Sequence, residues 1–219
     1  MTMKLFFAAG ACSFVPHTLL EASGRPFDSQ LVKLHKGEHR EAAFLALNAR
    51  GQVPVLVADS VAITQIVAIA LFLDEQFPDC GFLPREGIAR AKALETLCWM
   101  NNTVHPTFTH VFMPQKFTDD PQAQASVRSA NTQLFREQLR ELQAIVTGSA
   151  ATASGWLSGS HFGPLDAYAL TLVRWGSMVG IDPASMPELW SFVQRVAAHE
   201  PVAVVIARER LQLNMFRPA

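Results

Sequence analysis

Charge of either sign is scarce in this sequence. Its 219 residues carry 18 Lys and Arg against 19 Asp and Glu, a net charge of -1, with only 17% charged. A chain so balanced offers no electrostatic footprint to nucleic acid or to an acidic membrane surface, so neither is expected as a partner. No apolar run reaches the roughly 18 residues of a membrane span. Met1 to Ala9 holds one lysine and an apolar run too short for an export signal. Cys12, Cys80 and Cys98 fit neither a disulfide framework nor a metal-ligand spacing, so no metal is expected. A reducing cytoplasm is the expected compartment. Tyr168 is the only tyrosine, and there is no internal repeat or low-complexity tract.

Apolar residues, by contrast, make up 49% of the chain, ample for two packed units. Residues 3–8 read as a short buried strand, after which Ala9-Gly10-Ala11-Cys12-Ser13 turns the chain. Val15, Leu19 and Ala22 then fall at helical spacing up to Gly24. Residues 28–34 read as a second strand, and Glu38 to Leu47 as a short irregular helix. Gln52 to Val57 and Val61 to Ile63 form a strand pair, with Thr64 as N-cap of a helix to about Phe77. The expected organisation is an α/β thioredoxin-like unit over residues 1–78, a Pro/Gly linker over 79–86, and an all-α unit over 87–219. In the second half Leu94, Leu97, Cys98, Asn101, Val104, Phe108 and Phe112 step by three and four along one long helix. Phe135, Leu139, Leu142 and Val146 do so on another. Residues 164–179, 188–199 and the stretch after Pro201 read as further helices, with Thr147 to Ser154 a loop of small residues.

Three features carry chemistry. Cys12 lies between a strand and a helix start, where free N–H groups and the helix dipole favour thiolate; it also fits an ordinary buried cysteine. Val53-Pro54 suits a cis peptide bond that offers the Val53 backbone to an extended peptide, or a plain strand-start proline. Thr64-Gln65-Ile66 opens a helix whose N–H groups suit a carboxylate, or simply caps and packs.

Read together, these segments resemble the beta-class bacterial glutathione transferases. Met3-Lys4-Leu5-Phe6-Phe7 with Gly10-Ala11-Cys12-Ser13 and Pro16-His17 is similar to their opening, and Phe44 to Leu56 to their cis-proline segment. Val67-Ala68-Ile69 with Leu73-Asp74 resembles their third helix. His161-Phe162-Gly163-Pro164-Leu165-Asp166-Ala167-Tyr168, followed by Trp175, resembles their helix-six capping region. The resemblance implies glutathione as co-substrate, its sulfur near Cys12 with Ser13 and His105 as further catalytic candidates. It implies glutathione contacts from Lys36, Val53, Pro54, Gln65 and Ile66, and an apolar electrophile held against Phe14, Phe108 and Phe112. A homodimer is implied too, and the apolar Val67, Ile69, Leu71 and Leu73 spread over more than one helix face independently suit it.

The chain departs from that pattern in places. Ile66 stands where many members carry serine, and its side chain is expected to crowd the charged end of glutathione. A lost charge-assisted hydrogen bond of about 1.5–3 kcal/mol weakens binding roughly 10- to 100-fold. Phe7 and the remote Tyr168 exclude the tyrosine-dependent mechanism of other classes. Gly163 replaces the usual Ser or Thr cap, and Pro106 a lysine of some relatives. Three functions are expected from these residues: conjugation of glutathione to small hydrophobic electrophiles, monothiol glutaredoxin-like transfer through Cys12, or ligand binding without turnover.

Overall fold

The computed structural model describes residues 1–148 and 154–218. Four strands form the first half: β1 (Met3–Phe7), β2 (Asp28–Leu31), β3 (Val55–Ala58) and β4 (Val61–Thr64). Their order is β2-β1-β3-β4, with β1 parallel to β2 and the other two pairs antiparallel. A parallel pair needs a crossover, and α1 (Phe14–Ala22) supplies it. Alternation along β1 feeds two cores. Met3, Leu5 and Phe7 pack in the main core with α1 and α3 (Ile66–Gln76). Phe6 turns to the opposite face and joins Val32, Val55 and Phe44 of α2 (Ala42–Leu45). The arrangement is the thioredoxin-like sheet unit that the pattern predicts.

Several boundaries differ from expectation. β3 begins at Val55, after Pro54, and not at Gln52. β2 ends at Leu31 because Leu34–Lys36 closes a 3-10 turn and Gly37 is left-handed, at φ 78°. Thr64 is the last residue of β4 and caps nothing; Gln65 takes the N-cap position with φ 74°.

The second half is helical among the described residues. Asp74 of α3 reaches across the connection, accepting the Leu83 N–H at 3.1 Å and pairing with Arg90 at 2.8 Å. α4 (Gly87–Trp99) passes through a π-turn, Met100–Val104, into α5 (His105–Phe112). The predicted single helix is therefore interrupted. Pro106 has no N–H for the Asn102 carbonyl, and the chain widens just before it, with the His105 N–H bonding Met100 instead.

α6 (Pro121–Gly148) buries the predicted stripe Phe135, Leu139, Leu142 and Val146. α8 (Pro187–Ala198) and α9 (Glu200–Glu209) complete the helices among the described residues; of the expected loop Thr147 to Ser154, Thr147 and Gly148 still belong to α6, and residues 149–153 lie outside the described residues. α7 (Pro164–Met178) is buried on nearly every face. Asp166 holds the start of α7, accepting from Gly163 N–H at 2.9 Å and Leu157 N–H at 2.6 Å. The missing Ser or Thr cap is replaced from a distance: the Ser158 hydroxyl accepts the Leu165 N–H at 3.1 Å. Glycine at 163 is a steric requirement, because any Cβ there would overlap the Phe82 carbonyl oxygen and Ser158.

Candidate functional site

The chain leaves β1 at Phe7 and turns over residues 8–13 before α1 begins. Gly10 sits at the tip of this turn in the left-handed region, φ 67°. The helical half grips both of its polar groups. Trp175 donates its indole N–H to the Gly10 carbonyl at 2.9 Å, with Arg174 adding a longer bond at 3.3 Å. The Glu209 carboxylate accepts the Gly10 N–H at 2.8 Å and meets Nδ1 of His17 at 2.7 Å. The His17 and Glu209 side chains are both completely buried. A Cβ on Gly10 would come within 2.7 Å of the Arg174 guanidinium.

Cys12 follows on this fixed turn, half-buried, and its thiol donates to the Val53 carbonyl at 3.6 Å. Burial pushes the thiol up to about 12; hydrogen bonds from the Cys12 and Ser13 backbone favour thiolate but do not offset it. The expected activation at a helix start is thus overturned, because desolvation outweighs the N–H groups. At neutral pH Cys12 is a neutral S–H donor.

Val53-Pro54 is cis, as one of the two sequence readings has it. Pro54 is buried, and Val53 is half-buried with its carbonyl toward Cys12. Ser13 is corrected. Its hydroxyl is fully buried, donating to the Ala8 carbonyl and accepting the Ala8 N–H, both at 3.1 Å. It braces the turn and presents nothing outward.

Gln65 is exposed at the start of α3, where the helix N–H groups have no intrahelical partner. Ile66 does not crowd that end: its side chain is 3% exposed and packs in the main core. Lys36 lies exposed on the 3-10 turn after β2; its backbone N–H closes the turn onto the Lys33 carbonyl at 2.9 Å, and its ammonium makes no hydrogen bond among the described residues.

The aromatic candidates divide. Phe14 is 1% exposed, so it belongs to the core and cannot line an open electrophile site. Phe108 stacks on Trp175 with centroids 4.4 Å apart, and Phe112 stacks on Phe108 at 5.3 Å. The three rings make a wall running from the Gly10 turn to solvent, where Phe112 is 46% exposed.

His105 packs edge-on against Trp175 at 4.8 Å and its Nδ1 meets the Tyr168 hydroxyl at 2.7 Å. Burial first, and Lys116 second, lower its pKa to about 4, so the ring is neutral. Burial and the neighbouring Cys12 raise the Tyr168 hydroxyl well above its ordinary value. Sequence reasoning set Tyr168 aside and overlooked Glu209. A histidine on the apolar face of α1 signals a hidden partner, but nothing local points 192 positions onward.

Comparison with known proteins bears on the family and the fold. The family model for the glutathione S-transferase N-terminal domain matches residues 1–75. The chain is 31% identical to a glutathione S-transferase of Escherichia coli O157:H7 over 213 residues, 96% of this chain and 100% of that one. It is 32% identical to one of Xanthomonas campestris pv. campestris, covering 95% of this chain and all of the relative. Among solved structures, the enzyme from Xylella fastidiosa superposes with a TM-score of 0.84 at 29% identity, covering 96% and 100%. A sphingomonad glutathione S-transferase complexed with glutathione gives 0.81 at 29% identity, covering 95% and 100%.

Proposed function

Since the chain belongs to the glutathione S-transferase family, we propose that this transferase holds glutathione's sulfur beside Cys12 and joins it to a small apolar electrophile. The carrying observation is the Cys12 turn itself. It projects a neutral thiol donor beside the cis-proline strand while the helical half clamps it through Gly10.

In this reading the Cys12 thiol and nearby backbone N–H groups donate to the glutathione sulfur and stabilise its thiolate. The Val53 backbone pairs with the cysteinyl peptide beside Pro54. The N–H groups of Gln65 and Ile66, without intrahelical partners at the start of α3, receive the γ-glutamyl carboxylate, helped by the helix dipole. Lys36 serves the glycyl carboxylate. His105 faces the sulfur, and the Phe108 and Phe112 rings bind the apolar electrophile by stacking. No metal is required for this chemistry. We place the division between the glutathione-binding and helical units at residues 79–86. Detoxification in the cytoplasm by a homodimer that meets through α3 completes the reading.

The raised Cys12 thiol favours orientation over covalent bonding. Thiol transfer needs a thiolate nucleophile, which Cys12 supplies poorly at neutral pH. The test is turnover of glutathione with 1-chloro-2,4-dinitrobenzene, followed spectrophotometrically, together with calorimetric titration of glutathione. Micromolar binding with turnover is expected; silence across several electrophiles would remove the conjugation reading. Gel filtration at twice the monomer mass checks the dimer.

A further inference from the structure

Tyr168 is the one phenol in the chain, and it is fully buried within α7. Its hydroxyl carries a single proton and has two neighbours that could take it. Nδ1 of His105 stands at 2.7 Å, within the range of a strong hydrogen bond. Oδ1 of Asn101, on the π-turn, stands at 3.3 Å, beyond the usual range for an O–H donor. Asn101 has a second anchor, its amide donating to Asn102 at 2.7 Å, so it is not held by Tyr168 alone.

We propose that Tyr168 is a positioning residue that donates its proton to His105 Nδ1 and thereby fixes the His105 tautomer with Nε2–H facing the site. A neutral imidazole has one N–H, so occupying Nδ1 as acceptor places the proton on Nε2. Nε2 has no hydrogen-bond partner among the described residues. The ring beside it is wedged against Trp175, whose indole N–H holds the turn that carries Cys12. His105 then offers a donor without carrying charge, and it offers it next to the wall of aromatic rings. The low basicity of His105 keeps the imidazole neutral, and the raised Tyr168 hydroxyl keeps its proton. The assignment of what Nε2–H faces, glutathione's thiolate, rests on the proposed function; the tautomer itself does not.

The experiment is long-range nitrogen–proton NMR of the full chain labelled with 15N-histidine, at neutral pH without ligand. The His105 spectrum is expected to show a protonated Nε2 and an unprotonated Nδ1. Tyr168→Phe keeps the ring and removes the proton, and should convert that spectrum to a mixture of tautomers. The same variant should lower kcat about tenfold, the equivalent of about 1.4 kcal/mol, with the KM for glutathione changed less than about twofold. Asn101→Ala should leave the tautomer as it is, which keeps the proposal open to refutation should Tyr168→Phe fail to fold. A wild-type spectrum with Nδ1 protonated would overturn the proposal. So would a tautomer that shifts in Asn101→Ala or ignores Tyr168→Phe. Should the wild type show no glutathione turnover while the spectra behave as expected, the glutathione reading fails and the Tyr168 assignment stands.

Discussion

Cys12 shows how competing effects are decided at a single residue. Two backbone N–H groups point to its sulfur and favour the anion, yet removing the sulfur from water costs more, and the thiol is raised to about 12. A free thiol with a pKa near 8.5 is about a quarter ionised at pH 8, whereas a group at about 12 holds roughly 1 part in 10,000 as thiolate. Alkylation of Cys12 by iodoacetamide at pH 8 is therefore expected to run at least about 100-fold slower than that of free cysteine. Mass spectrometry of the Cys12 peptide checks it, and labelling at the free-cysteine rate would contradict the neutral thiol. The sign for stability follows the same direction. The folded thiol is raised above its unfolded value, so any stability it contributes is intact below the unfolded pKa and is lost as pH rises toward 12. Relative to Cys12→Ser, the wild type should lose stability above about pH 9.

The periodic signals were legible at the scale of elements. The stripe on α6 and the alternation in β1 come straight from residue spacing, because spacing alone selects which face is buried. The start of α3 was not legible in this way. Gln65 adopts φ 74°, a conformation that spacing does not encode, and this one-residue step moves the cap from Thr64 and sends Ile66 into the core. The resemblance flagged Ile66 by its type, but only the backbone shows that its side chain points away from the expected ligand end. Gly163 makes the complementary case, a departure from the expected Ser or Thr that turns out to be imposed by packing. Substituting alanine forces a methyl group into the Phe82 carbonyl and the Ser158 side chain, beside the cap that starts α7. Gly163→Ala should cost about 2–4 kcal/mol, since overpacking and a damaged cap add. Urea denaturation measures it, and a change below about 0.5 kcal/mol, typical of a tolerant surface position, would show that the cap relaxes freely.

The least legible feature joins the two halves of the molecule. His17 and Glu209 are 192 positions apart, yet they meet at 2.7 Å with no solvent, and the same carboxylate holds the Gly10 N–H. Arg208 adds a bond to Glu21 at 2.8 Å, so the end of α9 is fastened to α1 as well as to the turn. Local sequence cannot reveal such a contact, because its two sides have meaning only after the sheet and the helices have packed. The consequence for function is that the last helix sets the geometry of the turn that carries Cys12. Glu209→Gln keeps the volume of the side chain but replaces one acceptor oxygen with a donor; with its oxygen on the Gly10 N–H, its amide meets Nδ1 of His17, which accepts it only in the tautomer that turns Nε2–H toward the Arg208 guanidinium at 3.4 Å. Leaving a buried hydrogen-bonding group unsatisfied costs about 1–3 kcal/mol. A purely structural role would lower thermal stability and leave ligand affinity alone. A turn held by Glu209 predicts both a lower melting temperature and faster amide exchange at Gly10 to Ser13, with glutathione affinity weakened by roughly tenfold when about 1.4 kcal/mol of that loss falls on the bound turn. Hydrogen-exchange mass spectrometry and calorimetry on the folded variant separate the two. Unchanged exchange over residues 10–13 would show that Trp175 and Arg174 hold the turn without the carboxylate, and that the helical half reaches the site through Gly10's carbonyl alone.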